Sequence, residues 1–232
     1  MNKEKLRWGA LIFLVIVHVL GFYGIYHIWN LPTLEMRITL WMVFWMYFGG
    51  MFSITAGDHR YYTHHAYECG KLLQLLWLPF KVSSFQYRTH EWERAHTQHH
   101  AYTDTALDPY NATRGFWWGH ILWILHWDLR PKLSDCPERL RNNPFLKFQD
   151  RFFIPLEILF AGIVPCTISW LLGIGVLSGF WASAVRVMLQ GHATGLVNGY
   201  AHTFGTQPYS VSDTSRDAWA TLSSLKNCAQ SF

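Results

Sequence analysis

Charge is what this chain is short of. Asp, Glu, Lys and Arg together make up only 15% of its 232 residues, against 17% for Phe, Trp and Tyr, and half the chain is hydrophobic. Soluble domains carry about a quarter of charged residues, so the deficit points towards a membrane. A mean hydropathy of +0.05 requires apolar spans to alternate with a substantial polar part. Cysteine is also scarce: Cys69, Cys136, Cys166 and Cys228 are scattered, with no CxxC spacing, which excludes a disulfide framework and a thiolate zinc site. The net charge is only +4, and no basic repeat is interleaved with aromatics; nucleic acid is excluded as a partner. There is no internal repeat, low-complexity tract or flexible linker, so 1–232 reads as one domain.

What is present begins with an apolar run. After the basic start NKEKLR, residues 8–29 are apolar for long enough to cross a bilayer as a helix. The run is too long for a signal-peptide core and no small-residue cleavage site follows, so it stays as an anchor. A polar turn, NLPTLEMR, leads into a second span over about 38–56. A second hairpin covers 152–172, turns at GIGVLSG and returns over 180–200, with Arg186 inside it and facing the interior or the near interface. The section 57–151 holds most of the charge, most of the histidine and one shorter apolar piece, Leu72 to Phe80, read as a helix lying against the membrane or the core. Of 19 Lys and Arg residues, three are N-terminal, twelve lie between Arg60 and Arg151, and two, Arg216 and Lys226, are in the tail. That bias places both termini and the polar section in the cytosol. The expected fold is all-α: an integral, multi-pass membrane protein with a four-helix transmembrane bundle of two hairpins under a cytosolic helical cap.

The histidines give the cap its chemistry. Residues three and four apart share a helix face, so His96, His99 and His100 in HTQHH form one imidazole patch. A histidine-only shell suits iron, zinc or copper rather than magnesium or calcium, with a catalytic iron the leading reading. Two further groups arrive at the same ends of the hairpins: His59 and His64 in HRYYTH, and Asn198 with His202 in NGYAH. The last pair, four apart, shares a face. The first pair, five apart, is separated by about 140° on an ideal helix, and His64 converges only if the helix unwinds past His59. His18 and His27 read as polar helix contacts, and His120, after Trp117-Trp118-Gly119, as a residue that orients a ligand from behind. His65, His90, His126 and His192 match no pattern.

These segments carry a resemblance. The His59 to His64 spacing behind Ile54-Thr55-Ala56-Gly57 resembles the first histidine box of membrane fatty-acid desaturases. EWERAHTQHHAYTDTALDPYNATRGFWWGH is similar to the second box and its sequel in the acyl-CoA delta-9 (stearoyl-CoA) desaturases, and LVNGYAHTFGTQPY to that family's Asn-x-x-x-His segment. The match runs from about residue 40 to 222. It implies two non-haem irons, reduced by cytochrome b5 or a ferredoxin-type donor, that use O2 to place a cis double bond, delta-9, in an acyl-CoA or other acyl substrate at the endoplasmic reticulum membrane. It further implies His59, His64, His96, His99, His100 and His202 as iron ligands and Asn198 as a ligand through water. Arg94 corresponds to an arginine that binds the CoA moiety, and Gln86 and Trp92 to residues near the acyl tunnel.

The chain also departs from that pattern. Ala95 stands where the family has Asp, Tyr87 where it has Asn, Trp127-Asp128 where it has Arg-Lys, and Gly195 where it has Trp. No histidine follows His202, and the third box expected after DAWATL is absent. The expectation is therefore a C-terminally truncated or frameshifted chain, or an incomplete gene reading, that holds its irons incompletely, with its own activity left open. Two alternatives remain beside a desaturase: a catalytically dead membrane protein that binds lipid or modulates a partner, and a diiron fatty-acid hydroxylase.

Overall fold

A computed structural model describes residues 6–126, 136–207 and 213–217. Its elements are helical. They are α1 (Trp8–Trp29), α2 (Thr33–Phe52), α3 (Lys71–Val82), α4 (Thr89–Ala101), α5 (Trp123–His126), α6 (Glu138–Arg141), α7 (Pro144–Arg151), α8 (Phe153–Glu157), α9 (Val164–Leu171) and α10 (Val176–Tyr200). Wide π-helical turns continue α2 over Ser53–Thr63, precede α5 over Trp118–Leu122, and join α8 to α9 over Ile158–Ile163.

Local chemistry sets these boundaries. Pro32, at φ −50°, precedes α2, where a proline's missing N–H costs no helical bond. Asn143 caps α7 by accepting from the amides of Phe145 and Leu146 at 2.9 and 3.3 Å. Between α9 and α10, Gly173 and Gly175 take φ values of +74° and +82°, a conformation that favours glycine. Gly179 then lets α10 approach the α9 backbone, since a Cβ there would fall 2.1 Å from the Pro165 carbonyl oxygen.

Among the described residues three stretches are long and apolar enough to cross a membrane: Trp8–Trp29, Thr33–Thr63 and Phe153–Leu171. The first and third follow the apolar runs closely. The second does not stop near residue 56, because its helix widens into the π turn and continues to Thr63. The fourth expected span falls on α10, whose 25 residues start earlier, at Val176; Arg186, Gln190, His192 and Asn198 dilute its apolar character.

The described residues fall into two compact units. One lies within Ile12–His96 and Ser134–Gly191, the other within Met1–Leu11, Thr97–Leu133 and His192–Phe232. In the larger unit, Ile28, Val43, Ala182 and Val185 join α1, α2 and α10, while Tyr62, Trp77, Leu140 and Leu146 form a second core beside the π turn. Outward, α1 and α2 expose large apolar side chains such as Phe22, Trp41, Trp45 and Phe48, whereas Arg186 and Gln190 are wholly buried. Polar groups inside and apolar groups outside is the arrangement a lipid surround selects. In the smaller unit the Arg7 amide donates to the Leu125 carbonyl at 2.8 Å, and Tyr110 packs edge-on against Trp123.

Candidate metal centre

The π turn brings His59 and His64 together. Its bonds run from residue i to i+5, so a spacing of five, which would point two rings apart on an α-helix, becomes a single turn. The His64 amide donates to the His59 carbonyl at 3.0 Å, and the two Nε2 atoms lie 3.1 Å apart. His96, on α4, completes a trio. Its ring centroid is 4.7 Å from that of His59 and 5.6 Å from that of His64, and one nitrogen from each of the three lies within 4.8 Å of the others. Two nitrogens bound to one ion at about 2.1 Å stand roughly 3 Å apart when adjacent, so the 3.1 Å separation of the His59 and His64 nitrogens fits shared coordination, with the His96 nitrogen close by. Burial, and then the charge of His65, hold the His64 imidazole below its ordinary pKa. It therefore stays neutral, the form that offers a lone pair. Trp92 stacks on His96 at 4.7 Å and meets His59 edge-on, shielding this side of the trio.

A second pair sits in the smaller unit. His99 and His202 have ring centroids 5.2 Å apart, and each is oriented by an acidic residue of the loop after α4. His99 Nδ1 bonds Asp108 Oδ1 at 2.8 Å. His202 Nδ1 meets Thr214 Oγ1 at 2.9 Å, and that hydroxyl donates to Asp104 Oδ1 at 2.7 Å. The threonine proton is thus committed to Asp104, so the hydroxyl accepts from His202. His202 then carries hydrogen on Nδ1 and leaves Nε2 with its lone pair. This carboxylate-behind-histidine arrangement is common to metal-ligating imidazoles. Burial, with a smaller push from His99, brings the His202 pKa down to about 4, against the pull of Asp104 and Asp108. The donor set is nitrogen-only, which fits a borderline divalent transition metal such as iron.

His100 follows His96 by one turn of α4, on the same face. Asn198 lies near the end of α10, where its carbonyl oxygen and the Cα of Gly199 pack against Gly119. Gln86 is held through its backbone, its carbonyl accepting from Lys81 Nζ at 2.8 Å. Arg94 is half-buried on α4, near enough to Cys136 to act on its thiol electrostatically. His120 meets a partner that spacing did not single out: its Nε2 lies 3.0 Å from His192 Nδ1, and the rings stack at 5.2 Å. Gly195, where the resemblance leads one to expect tryptophan, has no room for a side chain, because a Cβ would fall 2.3 Å from the His120 carbonyl oxygen. Trp127, Asp128 and the tail from 218 onward lie outside the described residues.

Spacing alone missed Asp104, Asp108 and Thr214. The signal was available in YTDTALDPY, two carboxylates four residues apart directly after the HTQHH segment.

No family model matches the chain. Individual proteins do. It is 34% identical over 201 residues to a probable acyl-CoA desaturase of Schizosaccharomyces pombe, covering 85% of this chain and 41% of that protein. It is 33% identical over 219 residues to a stearoyl-CoA desaturase of Capra hircus, covering 89% and 59%. This sequence is a relative of the acyl-CoA desaturases. A Bombyx mori (11Z)-hexadec-11-enoyl-CoA conjugase is likewise 33% identical over 216 residues, covering 90% of the chain and 64% of that enzyme. The chain spans about two fifths to three fifths of the length of the curated relatives it matches. Among the described residues three helices are long and apolar enough to cross a bilayer, which supports a membrane protein.

Proposed function

We propose that this chain carries the site of an oxygen-dependent acyl-CoA desaturase that introduces a cis double bond, delta-9 in preference to other positions. The observation that carries the reading is the convergence of His59, His64 and His96 on one point. The pair His99 and His202, each backed by a carboxylate, supports a second metal. Two non-haem irons would be held, incompletely, by His59, His64, His96, His99, His100 and His202, with Asn198 reaching one through water. When bound, they would supply reductive activation of O2 and removal of hydrogen from two adjacent methylenes, with electrons from cytochrome b5 or a ferredoxin-type donor.

The protein's own part is positioning and exclusion of water. Asp108 orients the His99 ring directly, and Asp104 orients the His202 ring through Thr214. Trp92 covers the trio with an apolar face, and Gln86, in the bend before α4, and Arg94 are assigned to the acyl chain and its carrier. In this reading 1–232 form one membrane domain of four crossings with a cytosolic cap and cytosolic termini, at the endoplasmic reticulum.

Expression in a desaturase-deficient host, with fatty acids read by gas chromatography, tests the proposal. A new unsaturated acid supports it and its double-bond position tests delta-9. A hydroxylated acid moves the chain to the hydroxylases. No product from protein that retains iron by metal analysis overturns the catalytic reading.

A further inference from the structure

The larger unit buries a charged network that the metal chemistry does not use. Lys81 Nζ and Asp58 Oδ2 lie 2.5 Å apart, with side chains 3% and 2% exposed. The other carboxylate oxygen accepts from Thr89 Oγ1 at 3.0 Å. Lys81 also donates to the Gln86 carbonyl at 2.8 Å, and the Thr89 amide donates to Gln149 Oε1 at 3.0 Å. Desolvating two ions is costly, and an apolar pair of the same volume commonly serves stability as well or better. What a carboxylate adds is direction: each oxygen accepts along a fixed line, whereas apolar surfaces can slide.

The residues joined explain why direction matters. Asp58 immediately precedes His59 in the π turn, and Thr89 is the first residue of α4, which carries His96 seven residues on. The bond from Thr89 to Asp58 therefore ties together the two segments whose histidines meet. Lys81 closes the third side from the end of α3 and pins the bend in which Phe85 and Tyr87 flank Gln86 at φ values of +55° and +61°.

We propose that Asp58, Lys81 and Thr89 are positioning residues that set the register of the first histidine segment against the second and hold the Gln86 bend. The inference rests on the metal reading above for its purpose, but the register itself is measurable without metal.

Thr89→Val removes the donor while keeping the shape and the ion pair, and Thr89→Ser restores it. Two readouts separate positioning from general stability, which is followed by thermal unfolding in detergent. The first is cobalt(II) titration of full-length chain, followed by d–d absorption. The second is crosslinking of a His59→Cys, His96→Cys protein by a short bifunctional thiosulfonate, with the product assigned by peptide mass. The expectation for Thr89→Val is an unfolding temperature within a few degrees of the parent, cobalt affinity lowered about tenfold with altered bands, and crosslink yield reduced several-fold. Thr89→Ser recovers all of these. Unchanged cobalt spectra and crosslinking in Thr89→Val overturn the proposal, as does a parent that does not crosslink at all. Crosslinking that falls in Thr89→Val and recovers in Thr89→Ser, in a chain that binds no cobalt, supports the positioning device and overturns the metal reading.

Discussion

His99 and Asp108 form a buried pair, Nδ1 to Oδ1 at 2.8 Å, with side chains 8% and 1% exposed. The same carboxylate accepts the amides of Asp104 and Tyr110, each at 2.9 Å, so it both shapes the loop and aims the ring. Asp108→Asn keeps the size and much of the turn, but removes the charge that favours hydrogen on Nδ1. Metal affinity at the His99–His202 pair is expected to fall roughly 10- to 100-fold with little change in helicity. Competitive titration of iron or zinc against a chromophoric chelator, alongside circular dichroism, reads both.

Gly195 yields a prediction opposite to the one a comparison of residues suggests. Restoring the family's tryptophan there looks like repair. Yet even a Cβ would meet the His120 backbone oxygen at 2.3 Å, and Gly199 on the same helix is similarly close to Phe116 and His120. Gly195→Ala is expected to cost about 1–3 kcal/mol through forced backbone shifts, and Gly195→Trp more. Unfolding temperatures in detergent, ranked parent above alanine above tryptophan, check it.

Arg186 is wholly buried on α10, with Nη1 donating to the Ser83 carbonyl at 2.6 Å and to Gln190 at 3.4 Å. A methionine of similar length would fill the volume but strand that carbonyl in an interior without water. Arg186→Met should destabilise by about 1–3 kcal/mol, the penalty for a buried group left without its partner. Because Ser83 opens the bend carrying Gln86, protease sensitivity between residues 83 and 88 should rise with the loss of stability, which limited proteolysis would detect.

The first helix was readable almost to the residue, because a run bounded by Trp8 and Trp29 that is free of Asp, Glu, Lys and Arg has one stable solution in a bilayer. The start of α10 was not: the glycines of GIGVLSG suggest a turn throughout, whereas only Gly173 and Gly175 take positive φ and the helix is under way by Val176. The histidine groups were legible by spacing, but the way His64 reaches His59 was not, since patterns are read with an α-helical period and a π turn changes it. Asp108 escaped notice for a different reason. A carboxylate in a polar loop looks solvated until the fold buries it behind a ring. Asp58 and Lys81, 23 positions apart, could be paired only by tertiary structure.

The acid sensitivity of metal-free protein follows from His202. Its pKa is lowered from 6.5 to about 4, chiefly by burial, so the folded state binds its proton less readily than the unfolded chain does. Above pH 6.5 both states are neutral there and stability is insensitive to the group. Between pH 6.5 and 4 the unfolded state takes up a proton that the folded state refuses, and stability falls by up to about 1.4 kcal/mol per pH unit for one such group. Below pH 4 both are protonated and this contribution levels off. His64, also lowered, acts in the same direction. Unfolding temperatures of chelator-treated protein should therefore drop from pH 6.5 to 4, and His202→Phe should flatten the slope even if it shifts the whole curve. An identical slope in that variant would assign the acid sensitivity to other groups.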